Sequence, residues 1–478
     1  MRENLYRIEK DFLGEKEIPK KAYYGVQSMR ANENFPITGL QIDRHLIKAL
    51  AIVKKSAAEA NMEVGQLGED IAQAIIEAAD EVINGHFHDQ FIVDPIQGGA
   101  GTSSNMNANE VIANRALELM GYNKGDYSII SPNTHVNMAQ STNDVFPTAN
   151  RIAMLTMLKK LRSEMEALYE TFTKKAEEFY PLIKMARTHL QDAVPIRLGQ
   201  EFEAYASVLK RDLERIHDAS KYLYDVNMGG TAVGTGLNAN PSYIESVVSH
   251  LNENSGLPLE SSANLIDATQ NTDAYTGLSA ALKICMLNQS KIANDLRLLG
   301  SGPKVGLAEI TLPPRQAGSS IMPGKVNPVM GEVLNQVAFQ VSGNDHTICM
   351  ASEAGQFELN VMEPVLVFNL IDSIKIMTNV FSVFREFCLE GIEANIEQLD
   401  YNIKHSLGII TAINPHIGYE KATEIAQEAF KTGRPIREIC VSKGLLTNEE
   451  LDKILDPYEM TKPGISAEEL LEKKLVLN

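Results

Sequence analysis

Cysteine is scarce in this sequence, and tryptophan is missing altogether: 478 residues include four cysteines. The four lie far apart and form no C-x-x-C pair, which argues against both a thiolate zinc site and a disulfide framework. We therefore expect four reduced thiols, most of them packed in the core, at positions Cys285, Cys349, Cys388 and Cys440.

Basic residues are outnumbered. The chain has 44 Lys and Arg against 62 Asp and Glu, for a formal net charge of −18 at pH 7. Such a surface repels nucleic acid and anionic lipid, so a small-molecule partner is favoured over either. If that molecule is an anion, its site must gather positive charge and hydrogen-bond donors locally.

Long apolar runs are also missing. The first residues, MRENLYRIEKDF, do not resemble a signal peptide, and no later stretch approaches the roughly 20 apolar residues of a membrane span. We expect a cytoplasmic protein that binds neither membrane nor nucleic acid.

Several catalytic signatures are not found. The sequence contains no H-E-x-x-H, EF-hand, G-x-S-x-G or dinucleotide-binding pattern. Metal-dependent hydrolysis, calcium sensing, esterase chemistry and hydride transfer therefore lack their expected motifs. Acid–base chemistry on a small anion remains, and we expect neither a metal site nor an organic cofactor.

What the sequence does contain is helical periodicity. Apolar spacing predicts an all-α fold with a central bundle of five long helices, at about residues 150–181, 198–228, 273–299, 328–350 and 363–391. The second of these is expected to end at Gly229-Gly230. In the fourth, the apolar stripe is wide enough to need partners on two sides, which favours burial between subunits.

The same pattern divides the chain into three predicted domains. Residues 1–140 form a mixed helix and loop domain in which loops dominate, residues 141–395 the long-helix bundle, and residues 396–478 a small helical domain. In the last, Thr447 and Glu450 have the spacing of a helix capping box.

The most distinctive segment is GSSIMPGKVNP at residues 318–328, a polar loop between two helical patterns. It is not a phosphate-binding P-loop, because five residues separate its glycines and Val326 follows Lys325. Two serines, a lysine and an asparagine can supply a proton-abstracting oxygen and hold a carboxylate. A polar connection between helices is the alternative, and spacing alone does not decide between them.

Three other segments carry compatible chemistry. Thr188-His189 follows the first long helix, although a single loop histidine is more often structural. Residues 140–144, QSTND, can cap that helix or meet an anion at its N-terminus. Residues 98–105, GGAGTSSN, combine hydroxyl and amide groups with glycines that allow close backbone approach.

Taken together, these segments resemble the aspartase/fumarase superfamily, whose signature is close to G-S-S-x-M-P-x-K-x-N-P. The resemblance runs from residues 6–11, YRIEKD, to residues 360–364, NVMEP, and so covers nearly the whole chain. It implies a homotetramer with a twenty-helix core and active sites built from loops of three subunits. It also implies anti elimination that releases fumarate through an aci-carboxylate intermediate.

The resemblance also implies residue roles. Ser319 corresponds to the general base, and Lys325 and Asn327 hold a carboxylate. The carboxylate beside the abstracted proton is held by Thr102, Ser141 and Thr142, while Asn143 and His189 contact the amino group. The remaining substrate contacts are Thr188, Ser320 and Met322. Ser319, His189 and Lys325 are the expected catalytic residues.

Outlying segments distinguish the branches of the superfamily. KAYYGV at residues 21–26, GGAGTSSN at 98–105 and NTHVN at 133–137 resemble the aspartase versions, whose activity removes ammonia from L-aspartate; fumarases usually have an early Trp-Gly. Gly324 does not discriminate. Hydration of fumarate is the alternative activity, and an inert structural homologue is the non-enzymatic alternative, although Ser319, Lys325 and His189 are all present.

Overall fold

The structure is a computed structural model that describes the backbone of residues 5–476 and the side chains of residues 5–472. Helices dominate it, which confirms the all-α prediction. The helices are α1 Val26–Asn34, α2 Arg44–Glu63, α3 Glu69–Ile83, α4 Thr102–Leu119, α5 Thr142–Phe179, α6 Leu198–Ser220, α7 Pro241–Ser255, α8 Leu265–Gln270, α9 Asp273–Leu299, α10 Val329–Glu353, α11 Glu363–Phe387, α12 Ile396–His405, α13 Ile410–Ile417, α14 Tyr419–Thr432, α15 Ile436–Ser442, α16 Asn448–Ile454 and α17 Glu469–Val476.

The strands within residues 5–476 are short and form four two-stranded sheets. Three pairs are antiparallel, β1 with β2, β3 with β4 and β7 with β8, and β5 with β6 is parallel. The sequence prediction did not include them. Their bounds are β1 Tyr6–Asp11, β2 Gly14–Pro19, β3 Ile183–Thr188, β4 Gln191–Arg197, β5 Asp225–Val226, β6 Glu260–Ser261, β7 Ile310–Thr311 and β8 Glu393–Ala394.

The five predicted long helices correspond to α5, α6, α9, α10 and α11. Helix α9 has the predicted bounds, whereas α5 begins at Thr142, eight residues before the predicted start. The prediction that α6 runs to Gly229-Gly230 is wrong. That helix ends at Ser220, and a 3-10 turn over Lys221–Leu223 and strand β5 follow it.

Two further sequence predictions are corrected. Loops do not dominate residues 5–140, because helices α1–α4 and strands β1 and β2 together cover more than half of them. The expectation that no segment approaches a membrane span is also wrong, because Glu363–Gly391 has the length and the apolar composition that a membrane-spanning helix needs. In the structure 56% of its 18-residue apolar window is buried, as in a core helix.

The chain forms two compact units. The first comprises the described residues up to Ser163 together with Asp212–Leu287 and Val337–Asn379. Within it α2 packs against α3 and α7, α3 packs against α4, and the β1–β2 hairpin packs against α1. The predicted boundaries at 140 and 395 remain a prediction.

The second unit comprises Glu164–Arg211, Asn288–Gln336 and the residues from Val380 onward. The C-terminal helices in it share an apolar core, which Met185 of β3 joins. The predicted capping box is confirmed, since Thr447 and Glu450 each bond the other's backbone N–H at the start of α16. All four cysteines are free; three are buried and Cys349 is exposed.

Candidate active site

The first group of predicted site residues lies at the N-termini of α4 and α5, and we call it the cradle: Thr102, Ser141, Thr142 and Asn143. Gly101, immediately before α4, has φ +92°, and a Cβ there would lie 2.5 Å from the Phe146 ring. Only glycine fits that position without a shift of its surroundings. In this structure the Thr102 hydroxyl donates to the Gly99 carbonyl at 2.7 Å.

Ser141 and Asn143 have their side chains oriented by neighbouring backbone. The Ser141 Oγ accepts from the Asn143 N–H at 3.2 Å, which leaves the hydroxyl hydrogen available to a ligand. The Asn143 Nδ2 donates to the Ala232 carbonyl at 2.7 Å. Because a carbonyl only accepts, Asn143 must turn its own Oδ1 the other way, and that oxygen is suited to accept from an ammonium group.

A proline inside α5 shapes this end of the helix. Pro147 has no N–H, so the Asn143 carbonyl lacks the donor that an uninterrupted helix would give it. The Asn227 Nδ2 supplies that hydrogen bond instead, at 2.9 Å, from a segment more than 80 residues away in sequence. The cradle therefore depends on a side chain outside its own helix.

Asp144 attaches the cradle to the same distant segment. One of its oxygens accepts from the Ser141 N–H at 2.9 Å, and the other accepts from the N–H groups of Gly229 and Thr231 at 3.2 and 3.0 Å. Burial raises the pKa of Asp144 to about 7, and these three hydrogen bonds oppose the rise. The carboxylate thus fixes the backbone on both sides of the cradle.

Lys54 of α2 lies behind the cradle and is fully buried. Its Nζ donates to Asn137 Oδ1 at 3.0 Å and to Gln140 Oε1 at 2.8 Å. Burial lowers the pKa of Lys54 to about 7, although the charge of Asp144 acts in the opposite direction. When it is protonated, Lys54 places a positive charge behind the cradle, against the negative charge of the chain as a whole.

Thr188 and His189 lie at the tip of the β3–β4 hairpin. Thr188 pairs with Gln191, so His189 and Leu190 form a two-residue turn, with φ +55° and +61°. Two positive φ values are typical of a type I′ turn, which usually contains Asn-Gly. Holding a histidine and a leucine in this conformation costs about 1–2 kcal/mol per residue. The two predicted site residues, Thr188 and His189, are exposed.

Ser319 lies in the irregular segment between β7 and α10. Its Oγ accepts from the backbone N–H groups of Ile321 and Met322, at 3.2 and 3.1 Å. Two N–H donors on one hydroxyl oxygen favour its anionic form. This geometry suits an oxygen that acts as a base.

The rest of this segment closes on itself. The Gly318 N–H donates to the Lys325 carbonyl at 2.8 Å, and Asn327 Nδ2 donates to the Gly318 carbonyl at 2.7 Å. One N–H of Asn327 is thus used within the loop and one is left for a ligand. Ser320, Met322 and Lys325 are exposed.

The structure brings the predicted residues together in three separate sets. The cradle belongs to the first compact unit, while the hairpin tip and the Ser319 loop belong to the second. Among the side chains of residues 5–472, no hydrogen bond joins Thr188 or His189 to the Ser319 loop. Within that same part of the chain, no group of three or more His, Cys, Asp or Glu is arranged to hold a metal ion.

Sequence reasoning missed the side chains that support the cradle. Asp144 and Asn137 stand inside segments that the sequence singled out, but nothing marked them as buried hubs. Lys54 and Asn227 had no signal, because each acts through a contact with a distant part of the chain. Only the structure identifies them.

Comparisons with known proteins identify the family of the chain. The sequence model of the family described as "Lyase" matches residues 14–343, and that described as "Fumarase C C-terminus" matches residues 409–462. A relative from Bacillus subtilis, named aspartate ammonia-lyase, is 66% identical over 98% of this chain and 98% of its own length. Another of that name, from Escherichia coli, is 48% identical over 97% and 98%.

Solved structures show the same fold. A Brucella melitensis protein described as a fumarate lyase:delta crystallin bound to cobalt superposes with a TM-score of 0.93, at 48% identity, over 96% of this chain and 100% of its own. A recombinant class II fumarase from Schistosoma mansoni superposes with a TM-score of 0.92, at 34% identity, over 96% and 99%. With such matches along nearly its whole length, this chain belongs to the lyase family that includes the aspartate ammonia-lyases and class II fumarases.

Proposed function

We propose that this chain is an aspartate ammonia-lyase, which eliminates ammonia from L-aspartate to give fumarate. The observation that carries this proposal is the 66% identity with a relative of that name over 98% of both chains. The class II fumarase of the same fold is 34% identical. The relatives therefore favour the ammonia-lyase branch over fumarate hydration.

The cradle supports the binding step. The carboxylate next to the abstracted proton is held by hydroxyl groups of Ser141 and Thr142, with Thr102 at the N-terminus of α4. A helix N-terminus adds unpaired N–H groups and a partial positive charge, both of which stabilise an anion. The Asn143 Oδ1, left free by the bond from Nδ2 to Ala232, accepts from the amino group.

The chemical step uses Ser319. Its oxygen, in the alkoxide form that the N–H groups of Ile321 and Met322 stabilise, takes a proton from Cβ of the substrate, and the electron pair moves into the adjacent carboxylate to give the aci-carboxylate dianion. When the double bond to Cα forms, the C–N bond breaks and the ammonium group departs as neutral ammonia. The proton stays on Ser319 until the product has left. Each donor to the dianion contributes on the order of a hundredfold in rate.

The other substrate groups are assigned to the second compact unit. Lys325 and Asn327 hold the second carboxylate with Thr188, and Ser320 and Met322 line the same side. His189 contacts the amino group with its imidazole. The exposure of Ser320, Lys325, Thr188 and His189 supports these roles, because their side chains are free to meet a ligand. No organic cofactor or metal takes part.

The active form is a cytoplasmic homotetramer whose sites combine loops of three chains. Long helices with exposed apolar side chains support this assembly: Leu287 of α9 is 50% exposed, and Phe339 and Met350 of α10 are 67% and 62% exposed. Large apolar side chains exposed on a helix are candidates for burial between subunits. The assignment of the site residues to several different loops also fits an active site that is shared between chains.

Absorbance in the fumarate band after mixing the purified protein with L-aspartate, and separately with L-malate, tests the activity. A rise with L-aspartate alone is expected. A rise with L-malate alone would instead make the chain a fumarase, and no rise with either would favour an inert homologue.

A further inference from the structure

The amide of Asn137 is a hub behind the cradle. Its Oδ1 accepts from Lys54 Nζ at 3.0 Å and from the Nδ2 atoms of Asn105 and Asn109, each at 3.2 Å. Its own Nδ2 donates to the Gln140 carbonyl at 3.2 Å. Lys54, Asn105 and Asn109 are at most 1% exposed, so water does not compete freely for these contacts.

The hub is connected to a predicted substrate contact. Asn105 Nδ2, besides its bond to Asn137, donates to the Thr142 hydroxyl oxygen at 3.1 Å. Thr142 is only 8% exposed and begins α5. A chain of hydrogen bonds therefore runs from the Lys54 ammonium, through two amides, to a hydroxyl of the cradle.

The direction of every bond in this chain is determined at its buried end. A charged Lys54 has no acceptor and can only donate, so the oxygen of Asn137 must face it. Asn105 must then turn its nitrogen toward that oxygen, since the flipped amide would oppose two oxygens. The second N–H of Asn105 points at Thr142, whose oxygen accepts. The hydroxyl hydrogen of Thr142 is left over.

A second contact keeps this direction when Lys54 loses its charge. Gln140 Nε2 donates to the carbonyls of Val136 and Met138, each at 3.0 Å, which fixes Gln140 Oε1 as an acceptor facing Lys54. A neutral lysine still has two N–H groups, one for Gln140 and one for Asn137. The donor-to-acceptor direction of the hydrogen bonds from Lys54 to Thr142 is therefore the same whether Lys54 is charged or neutral.

We propose that Asn137 is a positioning residue. Its hydrogen bond from Lys54 fixes the orientation of its amide, which fixes the amide of Asn105 as a donor to the Thr142 oxygen. The Thr142 hydroxyl is then left to donate its hydrogen to a substrate carboxylate. The inference rests on the proposed function, in which Thr142 holds that carboxylate. Without the hub the Thr142 hydroxyl is free to rotate, and it becomes an ordinary hydroxyl that accepts as readily as it donates.

A double-mutant cycle of Asn137→Ala and Thr142→Val tests the proposal. Thr142→Val keeps the shape of the side chain and removes the hydroxyl. Asn137→Ala alone should lower kcat/KM for L-aspartate by on the order of tenfold. In the Thr142→Val background the same change should have little further effect, because the group it orients is gone. Equal losses in both backgrounds would refute the positioning role.

Asn61→Ala is the matched control. Asn61 is a buried asparagine that lies in α2, the helix that also carries Lys54. Its Nδ2 donates to the carbonyl of Met138, the residue after Asn137, at 3.2 Å. It has no bond to Asn137, Asn105 or Thr142, so its effect should be the same with and without Thr142→Val. Coupling as large as that of Asn137 would show that any disturbance of this turn reaches Thr142, which also contradicts the proposal.

Two further measurements make each outcome decisive. If Asn137→Ala does not fold, Asn105→Ala takes its place, since it removes the link nearest the cradle. Binding of succinate to the same proteins is measured by calorimetry. If the wild type turns over L-aspartate but the effects of the two substitutions simply add, the result overturns this inference and leaves the proposed function standing. No turnover overturns the proposed function, and the succinate cycle then decides the inference; wild-type protein that does not bind succinate counts against both.

Discussion

The Ser319 oxygen accepts a hydrogen bond from the Met322 N–H at 3.1 Å, three residues along the same loop. With the second donor, Ile321, this contact distinguishes Ser319 from its neighbour Ser320, which is exposed. We expect Ser319→Ala to lower turnover of L-aspartate by several orders of magnitude, because it removes the base. Ser320→Ala should lower it far less. Steady-state rates of both variants, with melting curves to verify folding, would reject the base assignment if the order were reversed.

The proposal that active sites are shared between chains predicts complementation between two inactive variants. Ser319→Ala damages a residue of the second compact unit, and Asn143→Ala damages the cradle in the first. If one site combines loops of different chains, hybrid tetramers contain some sites with neither substitution. Mixing the two proteins under conditions that exchange subunits should therefore restore part of the activity. A mixture no more active than its components would show that each site belongs to one chain.

Because Asn227 donates a hydrogen bond to the Asn143 carbonyl, we expect the substitution Pro147→Ala to compensate in part for the loss of Asn227. Asn227→Ala should destabilise the protein by about 1–3 kcal/mol, since it leaves a backbone carbonyl unpaired. Pro147→Ala restores an N–H four residues after Asn143, so the same Asn227→Ala change should cost less in that background. Denaturant unfolding of the four proteins measures the difference. Equal costs would mean that Asn227 contributes through some other contact.

Two glycines near the start of α4 separate backbone strain from a steric clash. Gly99 and Gly101 have φ +93° and +92°, but only at Gly101 would a Cβ lie 2.5 Å from the Phe146 ring. Gly99→Ala should cost about 1–2 kcal/mol from strain alone. Gly101→Ala should cost clearly more and raise KM, because the ring must move at the base of the cradle. Melting temperatures and KM values of both variants test this ranking.

Glu363, at the start of α11, predicts a pH dependence of stability. Burial raises its pKa to about 8, with nearby Arg151 opposing the rise. Its contribution to stability is therefore fully present below pH 4.5 and is lost as pH rises toward 8. Glu363→Gln has no such loss, so its stability relative to the wild type should increase between pH 5.5 and 8.5. Melting temperatures at both pH values measure this, and a constant difference would contradict the raised pKa.

Sequence periodicity located the long helices because their apolar side chains repeat over many turns. Helix α9 even has its predicted bounds. The start of α5 was placed too late, since Pro147 lies within the first two turns and the donor that compensates for it, Asn227, is distant in sequence. The β3–β4 hairpin escaped prediction because its tip is His-Leu and not one of the usual Gly-containing pairs.

The candidate site was predictable where a motif states its chemistry in consecutive residues, as at residues 318–328. Its support was not. Lys54 and Lys55 are neighbours of the same type, yet the first is buried behind the cradle and the second forms an ion pair with Asp80 at 2.8 Å. Their difference comes from which face of α2 meets the rest of the unit. Nothing in the local sequence contains that information.

With His189 assigned to the substrate as proposed, the hairpin tip sets conformational stability against catalysis at two adjacent positions. Leu190 is 72% exposed and has φ +61°, so glycine there would relieve strain without removing any group assigned to the substrate. His189 has almost the same φ, but its strain can be relieved only by giving up the imidazole. Selection for thermal tolerance alone would therefore tend to change the first residue freely and the second only at the expense of turnover.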